Sequence, residues 1–151
     1  MDKEFQALGP VSDRFDALVI PKFTSEAFRR VGMLAQVHFE KKSFCQTGLG
    51  LTLCRKKFAT YGLIESPWSL VNLDNMLKVL RLQLIHPYCL HLRGLIFGAE
   101  DYAHSAGITR TPSLLEMAYA RQKVVTVAKA WNLQAFDLVP PSQVDVLTLV
   151  R

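Results

Sequence analysis

A chain of 151 residues suffices for one domain of ordinary size, and a hydrophobic share of 50% with mean hydropathy +0.15 argues for a packed core and against disorder. The apolar residues come in short runs and never in about 18 uninterrupted positions, so no membrane span is expected and the chain reads as soluble. Eighteen Lys and Arg against 13 Asp and Glu give +5, but the clusters Lys41-Lys42 and Arg55-Lys56-Lys57 lack interleaved aromatics, so they read as solvated loop and no nucleic-acid partner is expected.

In chain order, the start from Met1 to Phe5 carries acids and no apolar stretch, so neither a signal peptide nor a transit peptide is expected there. A first strand is predicted over Ala17 to Ile20, ended by Pro21. A Thr24-Ser25 cap then opens a helix with Phe28, Val31, Leu34 or Ala35, and His38 on one face. Residues 40–60 hold Gly48, Gly50 and clustered positives, and read as an irregular connection with room for a short helix. Tyr61 to Ile64 reads as a second strand, followed by Glu65, a Ser66 cap, Pro67 at the first helical position, and Leu70, Leu73, Leu77 and Leu80 at helical spacing.

A third strand, Leu92 to Phe97, leads into a loop over Gly98 to Tyr102. A cap at Thr111 or Ser113 then opens a long helix to about Ala130. Leu133 to Val139 reads as a fourth strand, stopped by Pro140-Pro141. Apolar strands buried on both faces and alternating with helices predict an α/β fold on a parallel sheet. No linker divides the chain, so residues 1–151 are expected to form a single domain. Cys45, Cys54 and Cys89 are odd in number and without CxxC spacing, which fits free thiols in a reducing compartment.

In parallel α/β folds the ligand site lies at the carboxyl ends of the strands, and two acids stand there. Glu65 directly follows the second strand, and Asp101 follows the third after a Gly98-Ala99 step that lets backbone approach a ligand. Two carboxylates brought together repel unless one is protonated or a cation lies between them, and hard oxygen ligands suit magnesium. The alternative reading keeps both acids as charges at the starts of the helices that follow, where the dipole favours them.

The wording around these acids resembles a known family. Gly94-Leu95-Ile96-Phe97-Gly98-Ala99-Glu100-Asp101-Tyr102, Ile64-Glu65-Ser66-Pro67 and Leu18-Val19-Ile20-Pro21-Lys22 are similar to motifs of the citrate lyase β-subunit-like group of HpcH/HpaI aldolases. So are Tyr119-Ala120-Arg121-Gln122-Lys123-Val124-Val125 and Leu133-Gln134-Ala135-Phe136-Asp137, and the words fall in the family's order from about residue 15 to 139. The resemblance, strongest to the citramalyl-CoA lyase-like branch, implies a (β/α)₈ barrel of which this chain covers about strands four to seven, with 140–151 as a divergent tail. It implies Mg2+ held by Glu65 and Asp101, and a small 2-keto acid whose carboxylate meets the backbone amides of Ala99 and Glu100. It further implies carbon–carbon lyase or synthase chemistry on 3-hydroxyacyl-CoA thioesters of the citramalyl-CoA or malyl-CoA type. In this family the metal polarises the keto oxygen, and in the citrate lyase β-subunit the thioester is carried by an acyl carrier protein. Family members oligomerise, with a homotrimer as one expected state, and relatives in animals are mitochondrial, so that compartment is expected for a eukaryotic source and the cytoplasm otherwise.

The family's arginine-bearing RVN strand and its closing IHP strand have no counterpart in these 151 residues, so no catalytic residue is assigned and the chain reads as incomplete. Half a barrel leaves two sheet edges and a half-filled interior, which predicts marginal stability unless another copy closes it. A non-catalytic remnant that binds a full-length paralogue is the competing reading. Among other residues, His86, Cys89 and His91 lack a second ligand pair for zinc. His104 reads as a surface histidine with a pocket role as the alternative, and Lys22 as a salt-bridge partner in the barrel mouth or a substrate contact. Arg121 reads as a structural ion pair, Trp68 and Trp131 as packing, and Cys45 as an inert thiol.

Overall fold

The computed structural model describes residues 14–39, 44–46, 52–54, 58–83 and 90–137, together with the isolated positions Lys3 and Ala7. Strand β1 (Ala17–Ile20) leads to helix α1 (Ser25–Phe39), and a short hairpin of β2 (Phe44–Gln46) and β3 (Thr52–Cys54) precedes β4 (Phe58–Ile64). Helix α2 (Pro67–Gln83), β5 (Leu90–Phe97), α3 (Ala99–Ala106), a 3₁₀ turn at Leu115–Met117, α4 (Ala118–Ala130) and β6 (Gln134–Phe136) complete it. The main sheet has the order β1-β4-β5-β6 and every pairing in it is parallel, as in part of a (β/α)₈ barrel.

The helix starts follow the sequence. The Thr24 hydroxyl accepts the Ala27 amide at 3.0 Å, and the Ser66 hydroxyl accepts the Ser69 amide at 3.1 Å, so each satisfies an orphan donor of the first turn. The predicted helix faces are buried as expected: Phe28, Val31 and Ala35 on α1, and Leu70, Leu73, Leu77 and Leu80 on α2, all belong to one core cluster. Ile64, Leu95, Met117 and Val124 join them between the helices and the sheet. The His38 side chain lies outside the described residues.

Four expectations are corrected. Residues 98–102 are no loop: Ala99 begins helix α3 directly, with Gly98 as an N-cap that offers no side chain to signal it. The long helix begins at Ala118, because Leu114 takes φ 54° and breaks the run started at Thr111. Thr111 and Ser113 hydrogen-bond one another at 2.8 Å instead of capping it. The connection around residues 44–54 holds an antiparallel hairpin and no helix among the described residues. Finally, the strands are not buried on both faces, since Val19 and Phe136, on the face that carries no helix among the described residues, keep 54% and 44% of their surface. No helix among the described residues is long and apolar enough to cross a membrane.

Candidate metal centre at the strand ends

Glu65 and Asp101 meet. Glu65 directly follows β4 and is only 8% exposed, Asp101 lies in the first turn of α3 after β5, and the Asp101 carboxyl is near enough to push the Glu65 carboxyl up. The register explains the meeting, because Ile64 pairs with Phe97 and the Gly98 amide continues the ladder by donating to the Ile64 carbonyl at 3.0 Å. Neither acid makes a capping hydrogen bond, since Ser66 caps α2 and Gly98 precedes α3, but Asp101 does bring its charge to the first turn of α3 as the alternative reading expects. Glu65 lies close against Gly98, for a Cβ there would stand 2.7 Å from Cγ of Glu65. A side chain at position 98 would push Glu65 off its place.

Burial raises the Glu65 carboxyl above the ordinary glutamate value, and the neighbouring Asp101 carboxyl raises it further by hydrogen bond and charge. The Lys22 amide opposes both, donating to Oε2 of Glu65 at 2.5 Å. Lys22 reaches this position with φ 47°, a left-handed conformation uncommon outside glycine, and it is held there by the Phe23 amide bonding to the Leu63 carbonyl at 3.0 Å. The lysine expected to act by its ammonium therefore acts chiefly through its main chain, with a smaller attraction from its charge. That contribution was not legible, because an amide leaves no mark in residue type.

The pair fits a divalent cation. Two adjacent carboxylates that disfavour joint ionisation supply hard oxygen donors, and a cation between them removes the repulsion. No group of three or more His, Cys, Asp or Glu capable of holding a metal is present among the described residues. A metal here would thus keep most of its coordination positions for water or substrate, as magnesium does.

Ala99 is buried at the start of α3, whereas the Glu100 side chain points outward and pairs with Arg110 of the following loop, a residue that nothing in the spacing singled out. His104 is exposed in the last turn of α3. Arg121 forms the expected ion pair, its Nη2 2.5 Å from Oδ2 of Asp137, which ties α4 to the end of β6. Trp131 packs beside α2 and donates to Asp74 at 2.9 Å, but Trp68 is exposed and is not the packing residue expected. His91 is exposed, while His86, Cys89, the Cys45 side chain and Arg55 to Lys57 lie outside the described residues.

The HpcH/HpaI aldolase/citrate lyase family matches residues 6–150. Over 50 residues the chain is 50% identical to "Citramalyl-CoA lyase, mitochondrial" of Homo sapiens, a match covering 33% of this chain and 15% of that protein. It is 46% identical over 43 residues to "Citrate lyase subunit beta-like protein" of Deinococcus radiodurans, covering 28% of this chain and 15% of the relative. In fold it is similar to RipC from Yersinia pestis, with a TM-score of 0.64 and 23% identity over 97% of this chain and 55% of that one. The chain thus spans about half of the similar structure, and the matched segments are a small part of the curated relatives.

Proposed function

The chain belongs to the HpcH/HpaI aldolase/citrate lyase family, and from that premise we propose that it is, or forms part of, a magnesium-dependent carbon–carbon lyase or synthase of 3-hydroxyacyl-CoA thioesters. The observation that carries the reading is the placement of Glu65 and Asp101 at neighbouring strand ends, where the Asp101 carboxyl raises that of Glu65 and Gly98 leaves room for the Glu65 side chain. Bound magnesium supplies Lewis-acid polarisation of a carbonyl oxygen. The protein's own share is then positional. Glu65 and Asp101 hold the ion, the Lys22 amide fixes one oxygen of Glu65, and the amides of Ala99 and Glu100, at the positive end of α3, take the carboxylate of a small 2-keto acid.

The names of the relatives favour an acyl-CoA thioester of citramalyl-CoA type, with malyl-CoA as the other candidate, and for a eukaryotic source a mitochondrial location. The test is calorimetric titration of the full chain with Mg2+. We expect Glu65→Gln and Asp101→Asn each to weaken binding by about 10- to 100-fold, and undiminished affinity in both variants would remove the reading.

A second reading, a non-catalytic subunit pairing with a full-length paralogue, draws support from the open sheet face at Val19 and Phe136. Mg2+-dependent cleavage of citramalyl-CoA or malyl-CoA by the chain alone would exclude it.

A further inference from the structure

A cavity of about 640 Å³ opens at the amino ends of β5 and β6, at the far end of those strands from the acids. That volume falls in the range of small-molecule sites. Its apolar lining comes from Leu80 of α2, Leu92 of β5 and Leu133, which leads into β6. The end of α4 delivers Leu133: Asn132 takes φ 55°, a left-handed turn, and the Leu133 amide donates back to the Ala128 carbonyl at 2.8 Å. The Trp131 and Asn132 amides also return to carbonyls of the last turn, so those acceptors are engaged before any ligand arrives.

Two exposed arginines line the same cavity. Arg81, in the last turn of α2, carries its guanidinium over the Trp131 ring at 5.7 Å from the centroid. Arg93 is the extra residue of a bulge in β5: Leu92 pairs with Thr60 and Gly94 with Tyr61, and Arg93 between them has no counterpart across the ladder. Bulges re-aim side chains. Neither arginine has a carboxylate partner among the described residues. Asp74, two turns before Arg81 on α2, is engaged by Lys78 at 2.6 Å and by the Trp131 indole at 2.9 Å. Arg81 also answers the carbonyl end of α2, but Arg93 stands on a strand, where no helix end calls for its charge.

We infer that this cavity is a binding site for a phosphate monoester with an apolar body, separate from the lyase site. Two unmatched guanidiniums complement a phosphate that carries about −1.5 to −2 near pH 7, and their planar forks suit its oxygens. The leucines and Trp131 take the apolar body, whose transfer from water adds to the affinity. A ligand there occupies the opposite strand ends from Glu65 and Asp101, so its binding requires no metal.

The test uses the full chain with Trp68→Phe, which leaves Trp131 as the only tryptophan. Phenyl phosphate is titrated in the absence of metal, and saturable quenching of Trp131 fluorescence is expected. Arg93→Gln should weaken binding about tenfold, as for a charged hydrogen bond, while its melting temperature stays within about 3 °C of the parent. Arg93→Lys, which keeps the charge without the fork, should fall between the two. Inorganic phosphate, which lacks the apolar body, should bind about tenfold more weakly than phenyl phosphate, and the singly charged benzoate about fivefold more weakly. Absence of saturable quenching, or unchanged affinity in Arg93→Gln, would overturn the inference. So would benzoate or benzyl alcohol binding as tightly as phenyl phosphate, which would mark an apolar crevice without anion recognition.

Discussion

The two faces of the main sheet are built to different standards. On the helix side Ile64 and Leu95 are fully buried in one cluster with Leu73, Met117 and Val124. On the other side Val19 and Phe136 stay open, and Tyr61 meets Phe136 edge-on at 5.5 Å with its hydroxyl only 3.4 Å from Gln134. The first face holds the fold together through local βα packing, and the second is an apolar surface without its cover among the described residues. Stability and site are therefore separable here, because the acids stand at the strand ends, where the two faces meet.

The largest test of that contrast is a pair of truncations. Leu73→Ala, in the enclosed face, should lose about 2–5 kcal/mol in chemical denaturation, whereas Phe136→Ala should lose about 1 kcal/mol or less; comparable losses would show that the open face carries the fold after all. Gly98→Ala comes next, since its new Cβ would meet Cγ of Glu65 at 2.7 Å. It should cost about 1–3 kcal/mol and weaken Mg2+ binding by roughly tenfold, and normal metal affinity in a stable Gly98→Ala protein would argue against the placement of Glu65. Thr24→Ala should cost about 1 kcal/mol through the lost α1 cap and leave metal affinity alone, sharpening the separation of fold from site.

The smallest effect is in pH dependence. Because the fold raises the Glu65 carboxyl above its ordinary value of 4.5, the folded chain keeps a proton that the unfolded chain releases. Its contribution to stability is present below about pH 4.5 and is lost as pH rises through the raised value. In metal-free protein the difference in melting temperature between wild type and Glu65→Gln should therefore widen with rising pH in favour of the variant, and Mg2+ should reverse it. A difference independent of pH would mean that Glu65 is not strained by its surroundings.

Much of the fold was legible because local chemistry agreed with the tertiary arrangement. Ala17–Ile20 is a strand with the bounds its apolar run suggests, and Thr24 and Ser66 cap the helices that their spacing announced. Misreadings fall where a residue acts against its type. Gly98 starts a helix without a capping side chain, and Leu114 interrupts one from a left-handed conformation that nothing in a leucine foretells. For the site, the two acids could be found because strand ends are privileged positions in parallel sheets. The pairing of Glu100 with Arg110 could not be foreseen, since it depends on a loop turning back on its own helix.

The Lys22 amide has an evolutionary corollary. A hydrogen bond given by the main chain belongs to a shape and not to a residue, so position 22 can change among the side chains that tolerate a left-handed φ while the carboxylate keeps its donor. Proline alone is barred on two counts, for it has no amide hydrogen and cannot adopt a φ of 47°. Glycine would adopt that angle with least strain, which makes Lys22→Gly the least strained route by which a descendant sequence could lose the lysine and its charge and still keep the amide donor.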